Sequence, residues 1–134
     1  ATPSIIGEMQ IGNVPLTVVA VHPEPPMNIP DIASRIEQFS NMREQRQEWS
    51  ENTILLGDLN TASFSLQFTD LTEKLRLRDS RKGFGILPTW PTNTWPLMTT
   101  LDHILIGGNL QVLDRMVGKH VGSDHLPVYA VLGL

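Results

Sequence analysis

Runs of apolar and β-branched residues predict strands along the chain. Residues 4–10 and 14–22 lie on either side of Gly12-Asn13, and two such runs joined by a short turn dipeptide are typical of a β-hairpin. Both faces of this hairpin are largely apolar. Residues 53–56 form a continuous apolar run of the length of a buried strand, and Gly57 ends it.

Three further runs predict strands in the carboxy-terminal part of the chain. They cover residues 99–106, 110–117 and 128–132. Because residues 107–109 read Gly-Gly-Asn, a turn sequence, we expect the first two of these strands to pair as a second hairpin.

Helical spacing of apolar residues predicts a long helix from Asn28 to about Ser50. Asn28 is a good N-cap residue, with Asp31 three positions later. We expect one stripe of this helix to face the core and the charged face to be solvated. The stripe comprises Ile32, Ile36, Phe39, Met42, Arg46 and Trp49, and the solvated face carries Arg35, Glu37, Arg43, Glu44 and Glu48.

A shorter helix and a long loop follow. Residues 65–75 show helical spacing, with Leu66, Leu71 and Leu75 on the apolar side. Residues 83–100 are rich in proline, glycine and small polar residues, which predicts an ordered loop over a site. Trp90 and Trp95 in this loop either stack on a substrate ring or anchor the loop to the body of the protein.

Composition narrows the class of protein. The 134 residues, 40% of them hydrophobic, fit a single domain over 1–134. The net charge of −4 argues against a non-specific nucleic-acid binder, which normally carries a basic face. Cysteine is absent, which excludes disulfides and thiolate zinc sites. No apolar run approaches the roughly twenty residues that span a bilayer.

Polar residues collect where the predicted strands end. Carboxylates with a carboxamide suit a hard divalent cation, Mg²⁺ or Mn²⁺, whereas histidines beside carboxylates suit proton transfer and stabilisation of phosphoryl charge. Together they indicate metal-assisted hydrolysis of a phosphate ester. The residues are His22, Asp58, Asn60, Asp102, His103, Asp124 and His125.

Three motifs in this order resemble the endonuclease/exonuclease/phosphatase superfamily, whose members are similar to deoxyribonuclease I. They are Gly57-Asp58-Leu59-Asn60, Leu101-Asp102-His103-Ile104 and the stretch from Gly122 to Val128, Gly-Ser-Asp-His-Leu-Pro-Val. Residues 83–91 resemble most a bacterial branch whose members are often anchored to membranes by segments that precede the domain. The resemblance extends over essentially the whole chain.

The resemblance implies roles for the motif residues. Asp58 orients and deprotonates the attacking water, and Asn60 hydrogen-bonds the scissile phosphate. His125 donates to a phosphate oxygen and is oriented by Asp102. Asp124 is a metal ligand or supports one, and Asp58 shares the metal.

Two further histidines have less specific roles. The resemblance implies that His22 contacts the phosphate or protonates the leaving oxygen. His103 is either structural or a substrate contact, because many relatives have an aromatic residue at that position.

The resemblance also implies a fold. It is an α+β, deoxyribonuclease I-like αββα sandwich, of which we expect this chain to form the carboxy-terminal half, a mixed or antiparallel sheet with helices on one face. The family's principal metal-binding glutamate precedes this half, so we expect an incomplete metal site and weak or no activity of this chain alone. A half-sandwich leaves an apolar sheet face exposed, which predicts a homo-oligomer.

Two alternatives to an enzyme stay open. One is a module that binds a phosphorylated ligand or a protein without turnover, and the other is a structural domain whose motifs only cap strands. The substrate of an enzyme is a phosphate ester, either nucleic acid or a small phosphodiester or phosphomonoester, and the acidic balance weighs against long nucleic acid.

Overall fold

The computed structural model describes residues 2–134, which fold into two sheets and two α-helices. Both helices pack on one face of the larger sheet, so the α+β class predicted from the sequence is confirmed. The elements are β1 (Ile5–Ile11), β2 (Val14–Ala20), α1 (Ile29–Gln45), β3 (Thr53–Asp58), α2 (Leu66–Leu75), β4 (Arg78–Asp79), β5 (Asp102–Ile106), β6 (Gln111–Val117) and β7 (Val128–Gly133); a single 3₁₀ turn, Arg46–Glu48, extends α1.

The larger sheet is mixed, with strand order β1-β2-β3-β5-β4. Strands β2 and β3 run parallel, which α1 makes possible because it carries the chain back between them. The β1–β2, β3–β5 and β4–β5 pairs are antiparallel. The parallel pair places the carboxyl ends of β2 and β3 at the same edge of the sheet, next to the amino end of β5.

The predicted pairing of β5 with β6 is wrong. Strand β6 pairs with β7 in a separate two-stranded sheet, and β5 pairs instead with β3 and with the short strand β4, which the sequence did not predict. The chain leaves the larger sheet at Gly107 and Gly108, and Gly108 has a positive φ of 65°. Leu110 and Val112 then pack over the face of the larger sheet, so β6 stacks on that sheet rather than extending it.

Side chains alternate between two faces of the larger sheet. Val19, Leu55 and Leu105 point towards the helices and form the main core with both of them. Leu16, Ile54 and Ile106 point to the opposite face, which we call the inner face, and pack against β6 and β7. The two-residue period of a strand therefore decides on which side each polar residue at the strand ends will lie.

The helix α1 is turned relative to its predicted orientation. Asn28 caps it as expected, accepting from the backbone N–H of Asp31. Ile32 and Ile36 are exposed rather than buried, whereas Arg35, predicted to be solvated, is buried. The prediction followed the apolar stripe, but the packing contacts involve a neighbouring stripe that contains Phe39 and Met42.

The helix α2 begins after Ser65, whose hydroxyl accepts from the N–H of Phe68. Phe68, Leu71 and Leu75 are buried, but Leu66 is exposed, contrary to its predicted place on the apolar side. No helix within residues 2–134 has both the length and the hydropathy required to cross a membrane.

Candidate active site

Two carboxylates meet where β3 and β5 end at the same edge of the sheet. Asp58 is the last residue of β3 and lies directly opposite Asp102, the first residue of β5, in the antiparallel register. Directly opposite residues point to the same face, so both side chains project on the inner face. Both are partly buried.

His125 completes the cluster from the loop between β6 and β7. Its Nδ1–H donates to Asp102 Oδ2 at 2.8 Å, and its Nε2 lies 3.7 Å from Asp58 Oδ2. One ligand atom from each of the three residues lies within 4.8 Å of the others. The structure thus brings together three side chains that the sequence predicted for the site, from three separate elements.

His22 and Asn60 flank this cluster. His22 follows β2 and is largely exposed, with its Nε2 3.6 Å from Asp58 Oδ2. Asn60 has a positive φ of 46°, and its backbone N–H donates to Asp58 Oδ1 at 2.8 Å. Its Nδ2 donates to the carbonyl of Pro23 at 2.9 Å, which leaves its second amide hydrogen for a ligand.

Electrostatics make Asp58 a better base and His125 a better cation. Burial and the charge of Asp102 raise the pKa of Asp58 above its usual range, in spite of the Asn60 hydrogen bond and the nearby histidines. Burial acts to lower the pKa of His125, but the hydrogen bond and charge of Asp102 outweigh it, so this pKa is raised. A base and a hydrogen-bond donor therefore stand side by side.

Asp124 and Trp90 lie at the border of the cluster. The indole Nε1 of Trp90 donates to Asp124 Oδ2 at 3.2 Å, and the Trp90 ring lies 6.2 Å from the His125 ring, centroid to centroid. Asp124, predicted as a metal ligand, is therefore outside the group formed by Asp58, Asp102 and His125. Trp90 forms a wall beside His125, whereas Trp95 is exposed and distant from these contacts.

His103 lies in the core and not in the cluster. It follows Asp102 on β5, so it points to the helix face, where it is 1% exposed and its ring packs against Phe68. Its Nε2–H donates to the carbonyl of Thr61 at 2.8 Å. Of the two roles left open for His103, the structural one fits, and substrate contact does not fit a side chain buried on the opposite face.

We predict that His103 makes the protein sensitive to mild acid. Burial lowers its pKa to about 4, and its Nδ1 is buried without a partner, so protonation would bury an unpaired charge. Since the unfolded chain takes up the proton at about pH 6.5, roughly 3 kcal/mol of stability present above that pH should be lost as the pH falls to about 4. Urea unfolding across this pH range measures the loss.

The matched control is His103→Gln, which keeps a donor for Thr61 and does not titrate. Because all other titrating groups are shared, the difference between the two stability profiles isolates His103. Parallel profiles between pH 6.5 and 4 would contradict the prediction.

Arg35 is a positioning residue that the sequence analysis assigned to the surface. It is 3% exposed, and its guanidinium donates to the carbonyls of Glu24 and Leu59 at 3.3 and 3.1 Å. A further hydrogen bond goes to the hydroxyl of Thr61. Arg35 thereby holds the segment after His22 against the segment that carries Asn60. A charged residue within a helix gives no sequence signal for such contacts.

Thr89 was also missed. Its buried hydroxyl accepts from the backbone N–H groups of Leu101 and Asp102 at 3.2 and 3.3 Å, and its carbonyl accepts from the N–H of Leu126. It therefore ties the 83–100 loop to the strand of Asp102 and to the segment of His125. The signal available was its place in the Pro-Thr-Trp-Pro motif.

The donor set suits a divalent cation in part. Two carboxylates and one imidazole within 4.8 Å of one another offer enough charge and the right spacing for one ion that keeps several waters. Asp58 and Asp102 would supply the oxygen ligands. The Nδ1 of His125 is engaged by Asp102, which leaves its Nε2 as the free nitrogen.

Comparisons with known proteins agree with this geometry. The sequence profile described as the endonuclease/exonuclease/phosphatase family matches residues 4–125. An endonuclease/exonuclease/phosphatase from Beutenbergia cavernae superposes with a TM-score of 0.79 and 18% identity over 99% of this chain. The 3′ phosphatase NExo from Neisseria, bound to product DNA hairpin, gives 0.75 and 21% over 96%. No curated protein matches the sequence significantly.

A mannosyl-6-phosphatase from Bacteroides thetaiotaomicron also superposes, with a TM-score of 0.60 and 18% identity over 90% of this chain. At these identities the likeness shows the fold, which is the predicted deoxyribonuclease I-like one. This chain spans 39% of the Beutenbergia protein, 65% of the Neisseria protein and 51% of the Bacteroides protein.

Proposed function

The chain belongs to the endonuclease/exonuclease/phosphatase family, and we propose that its strand-end cluster hydrolyses a phosphate ester by metal-assisted attack of water. The observation that supports this most is the convergence of Asp58, Asp102 and His125 within 4.8 Å. The activity of the whole protein is part of the proposal, because the chain spans only part of its structural neighbours.

In this proposal Asp58 accepts the proton of the attacking water. Its raised pKa increases its basicity, and its position at the end of a buried strand keeps the carboxylate rigid. The imidazolium of His125 faces the same space and donates through Nε2 to a non-bridging phosphate oxygen, while Asp102 holds the ring from Nδ1.

Asn60 and His22 take supporting roles. The free amide hydrogen of Asn60 reaches a phosphate oxygen, and exposed His22 protonates the leaving oxygen or contacts the phosphate. Trp90 limits the site beside His125, where its ring offers a surface for the substrate.

We further propose Mg²⁺ or Mn²⁺ as the ion, held by Asp58 with Asp102, and with Asp124 where its side chain leaves Trp90. Such an ion, when bound, supplies a Lewis acid that polarises a phosphoryl oxygen and lowers the pKa of bound water. The set of carboxylates favours these hard cations over zinc.

The test is hydrolysis of bis-para-nitrophenyl phosphate, with para-nitrophenyl phosphate as the monoester, by the 134-residue chain in Mg²⁺ or Mn²⁺. We expect release of nitrophenolate that falls about 100-fold or more with EDTA, since metal assistance supplies several kcal/mol to the transition state. The structural neighbours include a 3′ phosphatase and a mannosyl-6-phosphatase, which is why both ester types are tested. Metal binding by calorimetry without hydrolysis would favour the binding module instead.

We also propose that the chain self-associates through the inner face near β1. All seven residues of this edge strand are exposed, and Ile5, Met9 and Ile11 share its inner face. Exposed edges and apolar faces of this kind favour association. Light scattering after gel filtration should give a mass above 14.9 kDa that falls in Met9→Lys but not in Glu44→Lys. A monomeric wild-type chain at all concentrations contradicts this.

A further inference from the structure

The most exposed large hydrophobic side chains are concentrated around the candidate active site. We call this set the apolar rim, and its members are between 69% and 88% exposed. Among the described residues, Ile5 is the one comparably exposed hydrophobic side chain outside it. The apolar rim comprises Met27, Ile29, Phe64, Leu66, Ile86, Trp95, Leu97 and Val121.

The rim comes from four segments that meet at the cluster. The first follows β2 and the second follows β3, and they are joined by the hydrogen bond from Asn60 Nδ2 to the carbonyl of Pro23. The third is the 83–100 loop, adjacent to the second through the bond from Leu59 N–H to the Leu101 carbonyl at 2.9 Å. The fourth precedes His125, and its Asp124 carbonyl accepts from Thr92 N–H at 2.9 Å.

These segments are poor in charge. Residues 25–30, 59–69 and 83–101 contain no aspartate, glutamate, lysine, arginine or histidine. A nuclease that follows a long phosphate backbone requires cations on the loops beside its active site, because neutralising phosphates supplies most of its affinity. Here those loops offer apolar side chains, small neutral polar residues and tryptophan instead.

We propose that the apolar rim docks the active site onto the surface of a lipid bilayer, so that the substrate is a phospholipid whose headgroup phosphate lies at the depth of the cluster. This rests on the proposed function and names its substrate class. Exposed apolar side chains with tryptophan and no charge are the composition that enters the interface between headgroups and acyl chains. The net charge of −4 favours a zwitterionic over an anionic surface.

The experiment measures binding to phosphatidylcholine vesicles by flotation, and hydrolysis of phosphatidylcholine in the same vesicles beside soluble bis-para-nitrophenyl phosphate. The test variant is Phe64→Ser with Leu97→Ser, which removes apolar side chains from two rim segments. The matched control is Leu113→Ser, an exposed leucine on β6 outside the rim. We expect the double variant to bind vesicles about tenfold or more weakly, and its ratio of vesicle to soluble activity to fall equally.

The two readouts separate the inference from the proposed function. Vesicle binding that is lost in the double variant and kept in Leu113→Ser supports docking even when no ester is hydrolysed, a result that would count against the proposed function alone. Absence of binding to phosphatidylcholine, binding to anionic vesicles only, or equal binding by both variants overturns the docking. In that case a protein surface is the occupant of the apolar rim.

Discussion

Replacing Asp58 by asparagine should lower the rate of phosphate-ester hydrolysis by about a thousandfold, which corresponds to about 4 kcal/mol of transition-state stabilisation. Asparagine keeps the shape of the side chain and an oxygen that accepts from the Asn60 N–H. It removes the basic oxygen that faces His22 and His125. The loss should appear in kcat, measured with a soluble chromogenic phosphodiester in saturating Mn²⁺.

Stability separates this effect from unfolding. Because burial already disfavours the charge on Asp58, the variant should unfold within about 1 kcal/mol of the wild-type protein. The control is Asp70→Asn, which changes an exposed carboxylate on α2 that pairs with Arg43 and should leave the rate unchanged. An Asp58→Asn variant with more than about a tenth of the original rate would show that Asp58 is not the general base.

The cluster was predictable because it depends on strand ends. Asp58, Asp102 and His125 each stand beside an apolar run whose length and boundary are readable from the sequence. Once β3 and β5 pair, the register places the two aspartates opposite each other without any further specification. What the sequence could not supply was which strands pair, since this depends on contacts between distant segments.

The alternation of a strand also explains the error over His103. Adjacent residues of β5 point to opposite faces, so Asp102 and His103 could not both reach one site. The sequence analysis grouped residues by their closeness to a strand end, without assigning them to faces. His103 belongs with Leu105 on the helix face, where its hydrogen bond to Thr61 supports the segment after Asn60 from below.

Arg35 marks the limit of pattern-based prediction in the helices. The moment of an amphipathic helix reports its average apolar side, but α1 meets the sheet edge where unpaired carbonyls of Glu24 and Leu59 require donors. A buried guanidinium satisfies several such carbonyls, and it lies over the ring of Phe39 with its central carbon 4.9 Å from the centroid. Ile32 and Ile36 are left exposed as a consequence.

Gly57→Ala should destabilise the protein more than other single-methyl additions, lowering its unfolding free energy by about 3–5 kcal/mol. A Cβ at this position would lie 1.9 Å from the carbonyl oxygen of Val21, which is backbone and cannot rotate away. The φ of Gly57 is also +143°, a region that alanine rarely adopts. Relief of the clash requires β2 and β3 to separate, breaking the bond from Val21 N–H to the Leu56 carbonyl.

Because His22 follows Val21 and Asp58 follows Gly57, the same separation would pull apart two residues of the cluster, so any folded variant should also lose activity. Thermal unfolding should fall by about 10–20 °C. The control is Gly7→Ala on β1, where an added Cβ meets nothing within 4 Å, and it should change stability by no more than about 0.5 kcal/mol. Equal effects of the two substitutions would show that close approach at Gly57 does not set the geometry of the site.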